Sequence, residues 1–169
     1  MVILPVDVFD MVIFGATGDL AMRKILPALY RRDVDQQIPE NSRIIGSAID
    51  NISLEEFRTR VSQALHEHLP ASELSPERES HFLNHVDYLA HDATQTTGWQ
   101  SLKQLLEQAP ERIRVYYLSV APFLFSIIAK GLADNGLNSP NSRLVVEKPL
   151  GHDLASGQLL NRQLGEVFA

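Results

Sequence analysis

The 169-residue chain is long enough for one domain with a real core and short for two. Its 44% apolar and 21% charged residues exclude disordered and fibrous classes, and the absence of cysteine excludes disulfide frameworks, thiolate nucleophiles and cysteine-based zinc sites. The net charge of -6, with no clustered basic stripe, argues against a nucleic-acid or membrane partner.

In chain order, Met1 to Asp10 carries Asp7 and Asp10 but no basic residue, so it lacks the positive start of a signal peptide. Met11-Val-Ile-Phe-Gly15 is a compact apolar run ending in glycine, the pattern of a buried parallel strand. Leu20, Ile25, Leu26, Leu29 and Tyr30 then recur at helical spacing, and Arg43 to Ile49 reads as a second strand. Ser53 and Glu56 form a capping box that opens a helix to about Leu69, with Phe57, Val61 and Leu65 on one face. Pro70 to Glu79 reads as a polar surface connection, and Phe82 to Leu89 as a short helical piece followed by a third strand. A helix over Thr97 to Ala109 turns Trp99, Leu102, Leu105 and Leu106 inward. Ile113 to Val120 is the strongest strand signal, Phe123 to Ala133 is helical with a stop at Asn135-Gly136, and Arg143 to Glu147 makes a fifth strand. Val115 to Ala129 is the longest apolar stretch, and Pro122, Ser119 and Ser126 interrupt it, so no membrane span is expected and the chain reads as cytoplasmic. Strand and helix alternating five times predict a doubly wound parallel α/β sheet in a single domain over residues 1–169.

Such sheets bind ligands beyond the carboxyl ends of their strands. Gly15-Ala-Thr-Gly18-Asp-Leu lies between the first strand and first helix. Gly15 and Gly18 permit close backbone approach to a pyrophosphate, Thr17 adds a hydroxyl, and the helix start near Asp19 offers free amides. Ala21 stands where the usual dinucleotide fingerprint has its third glycine. Two residues between the glycines, and Asp19 after the second, exclude a Walker A loop. The other strand ends offer Ile49-Asp50, Asp92, Ser119 to Pro122, and Glu147-Lys148-Pro149. Pro149 restricts Lys148 to an extended backbone and aims its ammonium into the crevice.

Taken together these segments resemble the glucose-6-phosphate dehydrogenase family. Gly15-Ala-Thr-Gly18-Asp-Leu-Ala-Met-Arg-Lys24 is similar to its Gly-Ala-Ser-Gly-Asp-Leu-Ala-Lys-Arg-Lys turn. Tyr117-Leu-Ser-Val-Ala-Pro122 and Glu147-Lys148-Pro149-Leu-Gly151 resemble its Tyr-Leu-Ala-Val-Pro-Pro and Glu-Lys-Pro-Phe-Gly segments, in the same order and spacing. The resemblance implies oxidation of glucose 6-phosphate at C1 to a lactone, with hydride passed to NADP or NAD, in an oligomeric enzyme of glucose metabolism. It implies that Gly15, Thr17, Gly18, Asp19 and Leu20 line the cofactor pyrophosphate. Asp50, Asp92, Ser119, Val120, Pro122 and Glu147 are further cofactor candidates at the strand ends. Lys24 and Lys148 match basic residues where cofactor and sugar phosphate meet. The family's general-base histidine lies in an Arg-Ile-Asp-His-Tyr-Leu-Gly-Lys-Glu segment, expected beyond Ala169 together with the sugar-binding β+α domain. The 169 residues alone are therefore expected to be inactive. A stand-alone, non-catalytic nucleotide-binding module is the alternative. Ile49 replaces an arginine that in the family holds the adenosine 2′-phosphate, and Asp50 beside it suits a free 2′-hydroxyl, so NAD is expected to be accepted. Arg23 is a counterweight on the first helix.

No metal site is expected. His81 and His85, four apart, and His66 and His68 read as surface histidines without a carboxylate partner. His152 is the one histidine near the crevice edge that merits a test as a base. Phe82, Trp99, Tyr116 and Phe123 read as core. No Gly-x-Ser-x-Gly elbow occurs.

Overall fold

The computed structural model describes residues 7–146. Glu147, Lys148, Pro149, Gly151 and His152 lie outside the described residues. Five parallel strands, β1 (Phe9–Phe14), β2 (Arg43–Ala48), β3 (Val86–Ala90), β4 (Ile113–Leu118) and β5 (Ser142–Val146), stand in the order β3-β2-β1-β4-β5. Every residue of the central strand β1 is buried, because helices cover both faces.

Alternation along β1 sends Phe9, Met11 and Ile13 into one core and Val12 and Phe14 into the other. The first core is roofed by α1 (Leu26–Val34), α2 (Leu54–His68) and α3 (Pro76–His85), through Leu29, Tyr30, Phe57, Val61 and Phe82. The second is roofed by α4 (Trp99–Leu106) and α5 (Phe125–Asp134), through Trp99, Leu102, Ile128 and Leu132. The chain crosses to β2 and β3 on one side of β1 and then to β4 and β5 on the other. The strand order therefore reverses between β1 and β4, which opens a crevice at their carboxyl ends.

The first helix opens as a π turn over Ala21–Ile25, in which the Leu26 amide bonds five residues back to the Ala21 carbonyl. Pro27 accounts for the widening. It has no amide for the Arg23 carbonyl, and its ring would crowd that carbonyl in a regular helix. Ala21 is fully buried, consistent with a small residue at the helix-to-strand contact. In α2 the Ser53 hydroxyl accepts from the Glu56 amide at 3.0 Å, while the Glu56 carboxylate turns to Arg60 rather than back to the cap.

Four expectations are corrected. The segment from Pro70 to Glu79 is not wholly irregular: a 3-10 turn occupies Ala71–Glu73, and α3 starts at Pro76. Ser75 caps it by accepting from the Arg78 amide at 3.2 Å, with Pro76 in the first turn, where a missing amide costs nothing. The polar, proline-bearing character of that stretch is thus the signature of a helix start. Phe123 is not core. It lies on the single turn Pro122–Leu124 before α5 and is 73% exposed, because Phe125 and Ile128 take the inward positions. His81 and His85 do have a carboxylate partner, Asp33 from α1, and His85 is buried beside it. The helix expected over Thr97 to Ala109 is confined to Trp99–Leu106: Gly98 enters it with φ +93°, and past Leu106 the Ala109 amide bonds three residues back to the Leu106 carbonyl in a tighter turn.

At the amino end of the sheet the buried Asp10 carboxylate accepts two bonds from Arg43, at 2.9 and 2.8 Å, and pairs with Arg112 at 3.1 Å. Arg43 also donates to the Leu105 carbonyl, which ties α4 to β1 and β2.

Candidate cofactor crevice

The loop after β1 is fixed by the strands on either side of it. The Gly15 and Ala16 amides both donate to the Ser47 carbonyl at the end of β2, and the Ser119 amide donates to the Phe14 carbonyl. Gly15 has φ +81°, and a Cβ there would stand 2.1 Å from the Ser119 carbonyl oxygen. Only glycine fits this contact, which brings the β1 turn against the β4 end. Gly18 donates to the Gly15 carbonyl at 3.0 Å and accepts from Met22, closing the turn onto the helix. The amides that follow have no carbonyl a turn earlier, the ordinary condition of a helix start and the basis of anion binding there.

A crevice of about 320 Å³ opens at this point. Gly15, Thr17 and Gly18 form its floor, Asp50 and Asp92 one end, and Ser119 and Val120 the other. Thus Gly15, Thr17, Gly18, Asp50, Asp92, Ser119 and Val120 come together as the sequence predicts. Asp19, Leu20, Lys24 and Pro122 do not line it. The Asp19 carboxylate is exposed and paired with Arg23 at 3.1 Å, and the Leu20 side chain packs on the first core, so each of these two can offer the crevice only its backbone. Lys24 is exposed on the π turn. Arg23, committed to Asp19, is the weaker claimant for a ribose phosphate.

Four groups in the crevice were not anticipated. Leu124 and Ile128 from α5 supply an apolar wall. Ser47, at the end of β2, is buried with its hydroxyl unpartnered, as is the Ser119 hydroxyl across the floor. His91, directly after β3, is 5% exposed, and neither ring nitrogen has a partner. Its ring stacks edge-on to Trp99 at 4.6 Å and holds Gly98 too close for any Cβ. Burial pushes the His91 imidazole below its ordinary value, with Asp92 opposing, so the ring is neutral at pH 7. A histidine ending a strand looks no different in sequence from one starting a surface loop; its burial depends on Trp99 and Gly98.

The Asp50 loop is built with similar care. Tyr88, stacked on Phe57 at 4.7 Å, donates its phenol to the Asp50 carbonyl at 2.6 Å, and burial pushes that phenol up to about 12. The Asp50 carboxylate accepts from the Thr17 hydroxyl at 2.9 Å and pairs with Arg60 of α2 at 3.4 Å. A cation therefore does stand beside Asp50, supplied by α2 rather than by position 49. Ile49 itself is 75% exposed at the rim. Asp92 is held as a carboxylate below its usual range by the Thr94 hydroxyl and amide.

Buried, unpartnered hydroxyls and ring nitrogens carry a desolvation cost that a polar ligand relieves. Here they converge on a crevice whose floor is bare backbone, an arrangement suited to a phosphate-bearing nucleotide.

Comparison with known proteins agrees with this geometry. The family model for the glucose-6-phosphate dehydrogenase NAD binding domain matches residues 12–169. The glucose-6-phosphate 1-dehydrogenase of Rhizobium meliloti is 46% identical over 166 residues, 98% of this chain and 34% of that protein. The enzyme of Gluconobacter oxydans is 43% identical over 165 residues, with 96% and 34% covered. The crystal structure of the Mycobacterium avium enzyme superposes with a TM-score of 0.86 at 32% identity, covering 96% of this chain and 35% of that one. A glucose-6-phosphate dehydrogenase solved with glucose 6-phosphate superposes at 0.85 with 29% identity, over 100% and 36%. The chain spans about a third of the length of these relatives. Matched along nearly all of its residues, the chain belongs to the NAD-binding-domain family of the glucose-6-phosphate dehydrogenases.

Proposed function

We propose that the chain binds NADP or NAD across the β1–β4 crevice and serves as the cofactor domain of glucose 6-phosphate oxidation. The carrying observation is the Gly15 turn, closed against Ser119 so that no side chain stands between backbone and pyrophosphate. Thr17, Gly18 and the amides of Asp19 and Leu20 would hold the pyrophosphate. Asp50 and Arg60 would meet the adenosine ribose, His91 and Asp92 would bound that end, and the Ser119–Val120 end would approach the nicotinamide. When bound, the nicotinamide accepts hydride from the sugar C1. The residues in hand orient the cofactor and neutralise its charge. Lys24, with Lys148, Glu147 and Pro122 near the β4 and β5 ends, is proposed to stand where cofactor and sugar phosphate meet. In a longer protein that carried the sugar-binding domain, the proton of the C1 hydroxyl would fall to a histidine there, and such a protein would be a cytoplasmic homo-oligomer.

Cofactor preference follows from the Asp50–Arg60 pair. The carboxylate accepts from a free 2′-hydroxyl, and the guanidinium, already within 3.4 Å of it, can turn to a 2′-phosphate. Both cofactors are therefore accepted. Titration calorimetry of the 169-residue chain tests the reading. NAD and NADP should each bind at one site per chain, within tenfold of each other, and Gly15→Ala should abolish both. Failure of either cofactor to bind wild-type chain would refute it. Because a missing general base costs about 10² to 10⁴ in rate and lost substrate positioning costs more, the same chain should show no more than trace reduction of cofactor by glucose 6-phosphate.

A further inference from the structure

A second cluster of buried polar groups lies at the opposite end of the strands from the crevice. Asp33, on the last turn of α1, is 6% exposed, and His85, at the end of α3, is 6% exposed. Asp33 Oδ1 and His85 Nε2 face each other at 3.4 Å, and neither has a hydrogen-bond partner. His81, one turn earlier on α3, brings its Nδ1 to 2.7 Å from Asp33 Oδ2. One donor atom from each of the three lies within 4.8 Å of the others.

The outer nitrogens of the two rings decide how to read this cluster. His85 Nδ1 lies 2.8 Å from the Ser42 carbonyl, an acceptor only, so Nδ1 carries the proton and Nε2 of the neutral ring presents a lone pair to Asp33. His81 Nε2 lies 2.7 Å from the Glu40 carboxylate and Nδ1 2.7 Å from Asp33, so without a cation the ring donates to both, and an incoming cation takes the place of the Nδ1 proton while Glu40 still holds Nε2–H. Two imidazole nitrogens and a carboxylate thus converge, each ring being oriented by a separate acceptor behind it. Histidines that ligate metals have this arrangement, in which the second nitrogen donates to a carbonyl or carboxylate. With bonds of about 2.0–2.1 Å, a tetrahedral ion sets its donors about 3.4 Å apart. Asp33 Oδ1 and His85 Nε2 already have that spacing. His81 is 46% exposed at its side chain and can turn to complete the set.

We propose that Asp33, His81 and His85 form a binding site for a zinc-class divalent cation. Imidazole and carboxylate donors in this number suit Zn²⁺ or Co²⁺, whereas Mg²⁺ and Ca²⁺ take oxygen ligands. The fourth position opens onto a groove of about 610 Å³ bordered by Glu40, Glu77 and His81, which gives the ion a way in. A bound ion clips the end of α1 to α3 and, through Ser42, to the start of β2. It is a structural or regulatory site and is independent of the cofactor crevice.

The test uses the 169-residue chain with Zn²⁺ or Co²⁺ alone. Competition against a chromophoric chelator should give one Zn²⁺ per chain, Co²⁺ should develop visible ligand-field bands, and Zn²⁺ should raise the melting temperature. His85→Gln sits in the core and can unfold the chain, so the deciding variants are at exposed positions. His81→Ala should weaken binding at least tenfold and remove the Co²⁺ bands. Glu40→Gln, which touches only the back of His81, should weaken it by about 10- to 100-fold. His66→Ala, at the separate His66–Glu79 pair, should leave affinity unchanged. Absence of saturable binding, or binding that survives His81→Ala, would overturn the proposal.

Discussion

Gly15 illustrates how narrowly a single residue can be specified. Gly15→Ala forces a side chain into a left-handed conformation, at about 1–3 kcal/mol, and also drives the Cβ into the Ser119 carbonyl. We expect a lowered melting temperature together with loss of nucleotide binding, whereas an alanine that left both intact would show the turn to be looser than described. Asp10 is specified by charge instead. Asp10→Ala leaves Arg43 and Arg112 beside an apolar strand end with their shared carboxylate gone, and urea unfolding should register a loss of about 3–5 kcal/mol. His91 sets a pH dependence. Its folded-state pKa lies below the ordinary 6.5, so at and below pH 6.5 the unfolded chain binds more protons than the folded one. Stability contributed by the neutral ring is complete above pH 6.5 and declines as pH falls toward the lower folded value. Without cofactor, the wild-type melting temperature should therefore drop more steeply below pH 6.5 than that of His91→Phe, and parallel curves would contradict the assignment.

At the scale of elements, what could be read in the sequence was what neighbouring residues encode. The Gly15–Gly18 turn, the Ser53 cap and the apolar strand runs each carry their cause within a few positions, and each is present in the structure. Groups defined by packing between elements were not legible. Asp33 and His85 meet only because α1 and α3 pack side by side, and His91 is buried only because α4 begins with Trp99 behind it. The Pro70 to Glu79 stretch misled for a different reason, since Ser75 and Pro76 serve equally well in a loop and at a helix start. Arg60 belongs with the packing-defined groups. It reaches Asp50 from the second turn of α2, so the charge beside Asp50 is a property of a helix and a loop together. Arg60→Ala should weaken NADP binding at least tenfold while changing NAD binding less than threefold, and Ile49→Arg should favour NADP; calorimetric titration of both variants checks this. An equal loss for both cofactors would mean that Arg60 only holds the loop.

For the molecule as a whole, the sheet order decides where function lies. Reversal of strand order between β1 and β4 leaves their carboxyl ends uncovered, and the buried hydroxyls of Ser47 and Ser119 and the His91 ring face that gap. The Asp33 cluster, at the amino ends of β2 and β3, is separated from it by the length of the strands, so the two sites are expected to load independently. In a longer protein that carries the catalytic histidine, Lys148→Ala should cut turnover strongly with little change in melting temperature, because its expected role is to present charge and not to pack. The central claim, that the glycine turn holds a dinucleotide, is tested most directly by a crystal structure of the chain grown with NADP. The account predicts the pyrophosphate within hydrogen-bond distance of the backbone amides between Thr17 and Leu20, with the adenosine ribose beside Asp50 and Arg60. A cofactor seated anywhere else, or a Gly15 turn left bare at saturating NADP, would contradict it.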